Sequence, residues 1–287
     1  MMTPYSAISV NVTTVTPLVE SIGLHALPVY LTALLALLLG LAGLWWLARR
    51  YTVPTDTSTL PPSAYLLIRL ALGFAVVVGA AAIFAEAAEV LGSSADARRA
   101  GELDQVFSNA VRRGISPTAF QFFSTVTRLA DTATLTTIAI GGALALVWLH
   151  RRWLALAFAA AIAGNALLNV TLKGIFERAR PLHDPSAELV RGFSFPSGHS
   201  SGAVVAYGML AYVLIRCLSP AHAARFGLPL VLAATALAFT IGCSRVFIQA
   251  HFATDVLAGF ASGSAWLTVC IGSAEWLRHY RQSRAVR

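Results

Sequence analysis

The chain runs Ser244-Arg245-Val-Phe-Ile-Gln-Ala-His251-Phe-Ala-Thr-Asp255 between two apolar stretches. If the segment is helical, His251 and Asp255 lie four residues apart on one face. A carboxylate so placed accepts the imidazole Nδ1–H, sets the tautomer and leaves Nε2 with a free lone pair. Arg245 adds a permanent cation whose donors match phosphate oxygens. Read blandly, the stretch is an interfacial ion pair with an arginine reaching toward water. Two further clusters stand upstream: Lys173 followed by Arg178 and Arg180-Pro181, and Phe195-Pro196-Ser197-Gly198-His199-Ser200. The second reads as a helix start with Ser197 as N-cap. Gly198 there allows close backbone approach, and the first N–H groups of the helix suit an anion. Lys173, Arg180 and Arg245, an N–H nest, two histidines and one aspartate converge on a single chemistry, transfer of a phosphoryl group.

The elements that must position these residues are membrane spans. Of 287 residues 57% are hydrophobic and 12% charged, and the mean hydropathy is +0.69; soluble domains carry roughly twice that charged fraction. Apolar runs at about 26–48, 64–88, 132–149, 153–172, 200–217, 228–243 and 256–277 approach the ~20 residues that cross a bilayer. Residues 89–131 mix charges with Leu103, Phe107 and Phe123 and read as one or two amphipathic helices on the membrane surface. The expected fold is therefore all-α, a polytopic transmembrane helical bundle. Residues 1–24 have no basic start, which argues against a cleaved signal peptide. Cys217, Cys243 and Cys270 fall in or beside apolar runs and indicate neither a disulfide framework nor a metal site. Asn11-Val-Thr13 matches a glycosylation acceptor, which carries no meaning in a bacterial protein.

The net charge of +8 does not imply nucleic acid, because the basic residues are dispersed through short loops. Twenty of the 21 are Arg, with Lys173 the only lysine. Loops 173–199 and 244–255 are two spans apart and face one side together. The turns at 49–63, 150–152 and 216–227 and the C-terminal tail share the other side, with ten Arg and a fringe of Trp45, Trp46, Trp148, Trp153 and Trp276. The outward side also holds ten basic residues, five of them in the long 89–131 segment where the positive-inside rule weakens. The expected orientation puts the turns and the tail in the cytoplasm and the motif loops outside.

Lys173-x6-Arg180-Pro181, Pro196-Ser197-Gly198-His199 and Ser244-Arg245-x5-His251-x3-Asp255 together resemble the three-part signature of the type 2 phosphatidic acid phosphatase superfamily, in order and spacing. The resemblance covers roughly 64–277 and departs at Gln249, where many relatives carry a small residue. It implies a six-span phosphatase core over 64–277, including the outward amphipathic segment 89–131. Residues 1–63 then add a tail, one additional N-terminal span and a linker, and 278–287 form a basic cytoplasmic tail. By the same resemblance, Lys173, Arg180, Ser197, Gly198 and Arg245 hold phosphate oxygens. His251 attacks phosphorus to give a phosphohistidine, Asp255 holds its ring, and His199 protonates the leaving oxygen and then activates water. No cofactor and no metal is implied. A zinc site of His199, His251 and Asp255 is disfavoured by the three neighbouring cations.

A site at the span ends suits a lipid whose tail stays in hydrocarbon. The implied partners are a lipid phosphate or diphosphate and the surrounding membrane lipids. Phosphatidylglycerophosphate, phosphatidic acid and undecaprenyl diphosphate are the candidate substrates, and a bacterial inner membrane is the implied setting. Other readings of the same residues are a lipid phosphotransferase, a lipid A phosphatase, a transporter with an anion site and an inactive scaffold.

Overall fold

A computed structural model describes residues 12–52, 62–92, 94–181 and 192–285, and all of its regular elements are helices. They are α1 (Val12–Leu24), α2 (Ala26–Thr52), α3 (Pro62–Glu89), α4 (Ala95–Gly114), α5 (Pro117–Val126), a 3₁₀ turn (Thr127–Ala130), α6 (Thr132–Trp148), α7 (Arg152–Phe176), α8 (Gly198–Cys217), α9 (Pro220–Phe247) and α10 (Ala253–Ala285). Asn11 of the glycosylation match and most of the linker after the first span lie outside the described residues.

Six of these helices are long and apolar enough to cross a membrane. Helix α5 with the 3₁₀ turn and α6 make an apolar pair bent by 45°, which adds a seventh crossing if the two form one span. The run at 132–149 corresponds to α6, 17 residues long, which the preceding apolar segment adjoins at the bend. The bend falls at Asp131, whose extended backbone (φ −61°, ψ 149°) opens α6. All-α architecture built on membrane-length apolar helices is what the hydropathy pattern predicts.

The centre of the bundle is α8, packed against α7, α9 and α10, and its inner residues Ala203, Val205, Ala206 and Met209 are fully buried. Other helices turn most of their apolar surface outward, as Leu39, Phe74 and Leu167 illustrate. That pattern fits hydrocarbon as the solvent. The first of these spans, α2, is docked on α9: the Tyr30 hydroxyl bonds Thr240 Oγ1 at 2.7 Å, and the Tyr30 ring stacks on Phe239.

Of the segment 89–131, α4 is the amphipathic helix. Ser94 caps it by accepting from Ala97 N–H at 3.0 Å, and Ala97, Asp104, Ser108 and Val111 form its buried stripe. Helix α1 packs on α4 although nothing in its composition announces it. Gly23 makes the approach possible, because a Cβ there would sit 2.9 Å from the Phe107 carbonyl, and Arg113 pairs with Glu20 at 2.5 Å.

Candidate active site

Four helix ends meet at one end of the bundle: the C-termini of α7 and α9 and the N-termini of α8 and α10. Lys173 lies in the last turn of α7, Arg245 in the last turn of α9 and Asp255 in the first turn of α10. Each charge thus complements the dipole of its own helix. Lys173, Arg180, Gly198, His199, Arg245 and His251 line a single cavity of about 1090 Å³. Asp255 lies behind His251, fully buried, and Ser197 is buried behind the tip of α8.

The expected helix through 244–255 is broken. Helix α9 ends at Phe247, Gln249 takes a left-handed φ of 63°, and the N–H groups of Ala250 and His251 both return to the Arg245 carbonyl, at 2.9 and 3.1 Å. His251 therefore stands two residues before α10 rather than on a helical face with Asp255. The pair still meets, because Asp255 Oδ2 reaches back over the first turn. It accepts the Phe252 N–H at 3.0 Å and lies 3.4 Å from His251 Nδ1.

Ser194 closes this contact. Its hydroxyl donates to Asp255 Oδ2 and lies 3.3 Å from His251 Nδ1. With Nδ1 engaged on this side, Nε2 is the nitrogen left for chemistry. Burial pushes the pKa of His251 down to about 4, and the Asp255 carboxylate opposes that shift only in part. The ring is neutral near pH 7, so its lone pair is available.

His199 opens the first turn of α8, and its Nε2 bonds Asp131 Oδ1 at 3.0 Å. Its neighbour Ser197 is the N-cap, accepting from Ser200 N–H at 3.4 Å and from the Ser200 hydroxyl at 2.9 Å. The Ser197 N–H donates to the Asp255 carbonyl at 2.9 Å, which joins the starts of α8 and α10. Gly198 sits where a Cβ would approach Asn169 Oδ1 to 2.9 Å. The cations are steadied by neutral oxygens. Lys173 donates to the Phe193 carbonyl, Arg180 to the Ala250 carbonyl at 3.0 Å, and Arg245 to Thr127 Oγ1 at 3.0 Å. These contacts help to hold the three side chains at the cavity wall.

Three residues here are not distinguished by sequence reasoning. Arg178 does not solvate a loop: its Nη1 lies 2.7 Å from Asp255 Oδ1 and from Thr254 Oγ1, and its Nη2 lies 2.9 Å from Asp104 Oδ2. Its guanidinium also lies over the Phe252 ring at 4.3 Å. Burial raises the pKa of Asp104, opposed by the hydrogen bond from Thr254 and by Arg178. The other two are Ser194 and Asp131. Their partners lie 57 to 68 residues away in the chain, and no local spacing advertises such pairs.

The cavity continues as a groove between α6 and α7. Thr136, Ile140 and Leu144 border one side, Ala159, Ala166 and Val170 the other, with Gly202 and Val205 of α8 beneath. Ile140, Leu144 and Val170 are more than half exposed, so the rim of the groove faces the surrounding medium, which in a membrane is lipid. From Thr132 to Leu144 the wall is about 18 Å long at 1.5 Å per residue.

A polytopic helical bundle with three cations and two histidines gathered where four helix ends converge is the class that fold and site define. Residues 153–278, which hold those four helix ends, match the family model of the PAP2 superfamily. Phosphatidylglycerophosphatase B of Bacillus subtilis (strain 168) is 36% identical over 118 residues, 41% of this chain. The match spans 57% of that relative's length. The crystal structure of the first transmembrane PAP2 type phosphatidylglycerolphosphate phosphatase, from Bacillus subtilis, aligns with a TM-score of 0.62 at 28% identity, covering 69% of this chain and 96% of that one. The family named by the three motifs is the family these comparisons return.

Proposed function

We propose that this protein is an integral-membrane lipid phosphatase that hydrolyses a lipid phosphate or diphosphate through a phosphohistidine. The observation that carries the reading is the continuity of one cavity from Lys173, Arg180, Arg245 and both histidines into a groove with an apolar rim. A phosphate bound by the cations then has its hydrocarbon already in the bilayer.

Lys173, Arg180, Arg245 and the N–H groups at the tip of α8 take the phosphoryl oxygens and balance the charge that grows on them. His251 Nε2 attacks phosphorus, forming the P–N bond as the P–O bond to the lipid breaks. Asp255 and Ser194 hold the ring and stabilise its positive charge. His199, in its protonated form, gives its proton to the departing lipid oxygen. It then takes a proton from water, whose oxygen attacks phosphorus and releases inorganic phosphate and free His251. Ser197, buried and bonded to Ser200, supports this arrangement through the shape of the α8 tip. The distribution of Arg and Trp favours a site on the outer face of a bacterial inner membrane.

The test is phosphate release by the purified full chain from phosphatidylglycerophosphate, phosphatidic acid and undecaprenyl diphosphate, with EDTA present. Wild-type release should persist in EDTA, and His251→Ala should lower it by about 10³-fold or more. Rapid quenching should trap acid-labile phosphate on the wild-type protein alone. Release that is indifferent to the substitution would sink the mechanism.

A further inference from the structure

The groove is not uniformly apolar. Asn165 and Asn169 precede Lys173 on α7 by eight and four residues, so the three side chains form one stripe along the helix, and all three line the cavity. The amides stand about 12 and 6 Å below the ammonium at 1.5 Å per residue. Thr132 and Thr136 face the same stretch from α6, while Ala143, Leu144, Ala159 and Ile162 line the deeper part. Polarity therefore falls in three steps, from cations through neutral amides to hydrocarbon.

An amide at this depth is costly unless it is hydrogen-bonded. The two carboxamides have one visible structural duty, linking α7 to α8. Asn165 Nδ2 and Asn169 Nδ2 each donate to Ser201 Oγ at 3.4 Å. Both bonds are long, and a single hydroxyl cannot satisfy two carboxamides. Asn165 is 5% exposed, so bulk water does not make up the difference. The link accounts for one donor on each amide and leaves hydrogen-bonding capacity on the cavity wall.

We propose that Asn165 and Asn169 form a subsite for the polar atoms that separate phosphate from hydrocarbon in a glycerol-based lipid, its hydroxyl and ester oxygens, and that this subsite selects glycerolipid over prenyl phosphates. The proposal rests on the phosphatase reading above. A glycerolipid in the groove brings hydrogen-bonding atoms to the height of the amides. A prenyl chain begins directly at its phosphate and covers them with hydrocarbon, leaving them unpaired. Sites built to bond a polar group reject analogues that lack it far more strongly than apolar pockets distinguish shapes. The inner phosphoryl of a prenyl diphosphate would reach no further than Asn169 and brings charge that a neutral amide does not balance. Asn165, one turn deeper, still meets hydrocarbon.

The experiment compares kcat/KM for phosphatidic acid and for geranylgeranyl phosphate in the same mixed micelles, using the wild type, Asn165→Leu and Asn169→Leu. The ratio of the two constants does not depend on the active fraction, so a poorly folding variant still reports. The wild type should favour phosphatidic acid by at least about 10-fold, and each leucine should shift the ratio toward the prenyl substrate by about 10-fold or more. Parallel losses on both substrates would assign the asparagines to helix packing alone, and a wild-type ratio near one would also overturn the proposal. If the wild type releases phosphate from neither lipid, the phosphatase reading itself falls, and the selectivity proposal with it.

Discussion

Asp131 Oδ1 and His199 Nε2 are hydrogen-bonded at 3.0 Å with the carboxylate half exposed, a setting in which such contacts add about 1 kcal/mol or less to stability. The consequence of this bond should appear in orientation of the imidazole. Asp131→Asn should lower kcat by about 10- to 100-fold with KM little changed, while the midpoint of thermal unfolding barely moves. An unchanged kcat would reduce the pair to surface decoration. His251 behaves differently, because it is buried and its pKa is pushed down to about 4 from an ordinary value near 6.5. Between those values the unfolded chain binds a proton at this residue that the folded chain does not. Stability is therefore complete above pH 6.5 and declines as pH falls toward 4, by up to about 3 kcal/mol. Unfolding scans in detergent should show the wild type losing more on acidification than His251→Gln, and equal losses would contradict the assignment. Most of these residues are legible in the sequence. His199, His251, Asp255 and the three cations sit in short motifs, and their types betray their chemistry. Arg178 and Ser194 do not, because their roles come from partners in distant segments, and an arginine two positions from Arg180 looks like loop solvation until Asp104 and Asp255 are placed beside it.

Arg178 is also where helices are tied together. It bridges Asp104 of α4 and Asp255 of α10, and Thr254 joins the same cluster through its hydroxyl to Asp104. The amphipathic helix is thus fastened to the start of the helix that orients His251. Removing the cation leaves two buried carboxylates facing one another, so Arg178→Ala should cost about 3–5 kcal/mol. Adding Asp104→Asn should return part of that stability, which a double-mutant cycle in thermal or denaturant unfolding would measure. A cycle showing strict additivity would dissolve the link. Spans were readable from hydropathy to within a few residues at most ends, because bilayer thickness imposes their length. Helix α1 was not readable, because a short Thr- and Val-bearing stretch owes its helicity to packing on α4. The turn that expels His251 from a helix was also hidden. It depends on a left-handed Gln249 whose carboxamide oxygen accepts from Ser108 of α4 at 2.8 Å.

For the molecule as a whole, the four helix ends that carry the candidate site lie at one end, and the His150 turn lies at the other. The expected orientation is checked by single cysteines at Glu102 and at His150 in a background lacking Cys217, Cys243 and Cys270. A membrane-impermeant maleimide added to whole cells should label position 102 alone, and inverted vesicles should reverse the pattern. The opposite result would turn the protein over. The groove between α6 and α7 has a further consequence for turnover. It meets lipid along its rim, whereas the cation cluster lies at the helix ends, so on the proposed reaction the two products part into different phases. The dephosphorylated lipid, having lost the charge that held it, diffuses away in the two dimensions of the leaflet, and inorganic phosphate departs in three. Lipid product is diluted by every neighbouring lipid, which leaves dissolved phosphate as the product able to return and occupy the cations. An enzyme working in this way should therefore sense the phosphate content of the aqueous compartment it faces, and be nearly blind to how much product its membrane already holds.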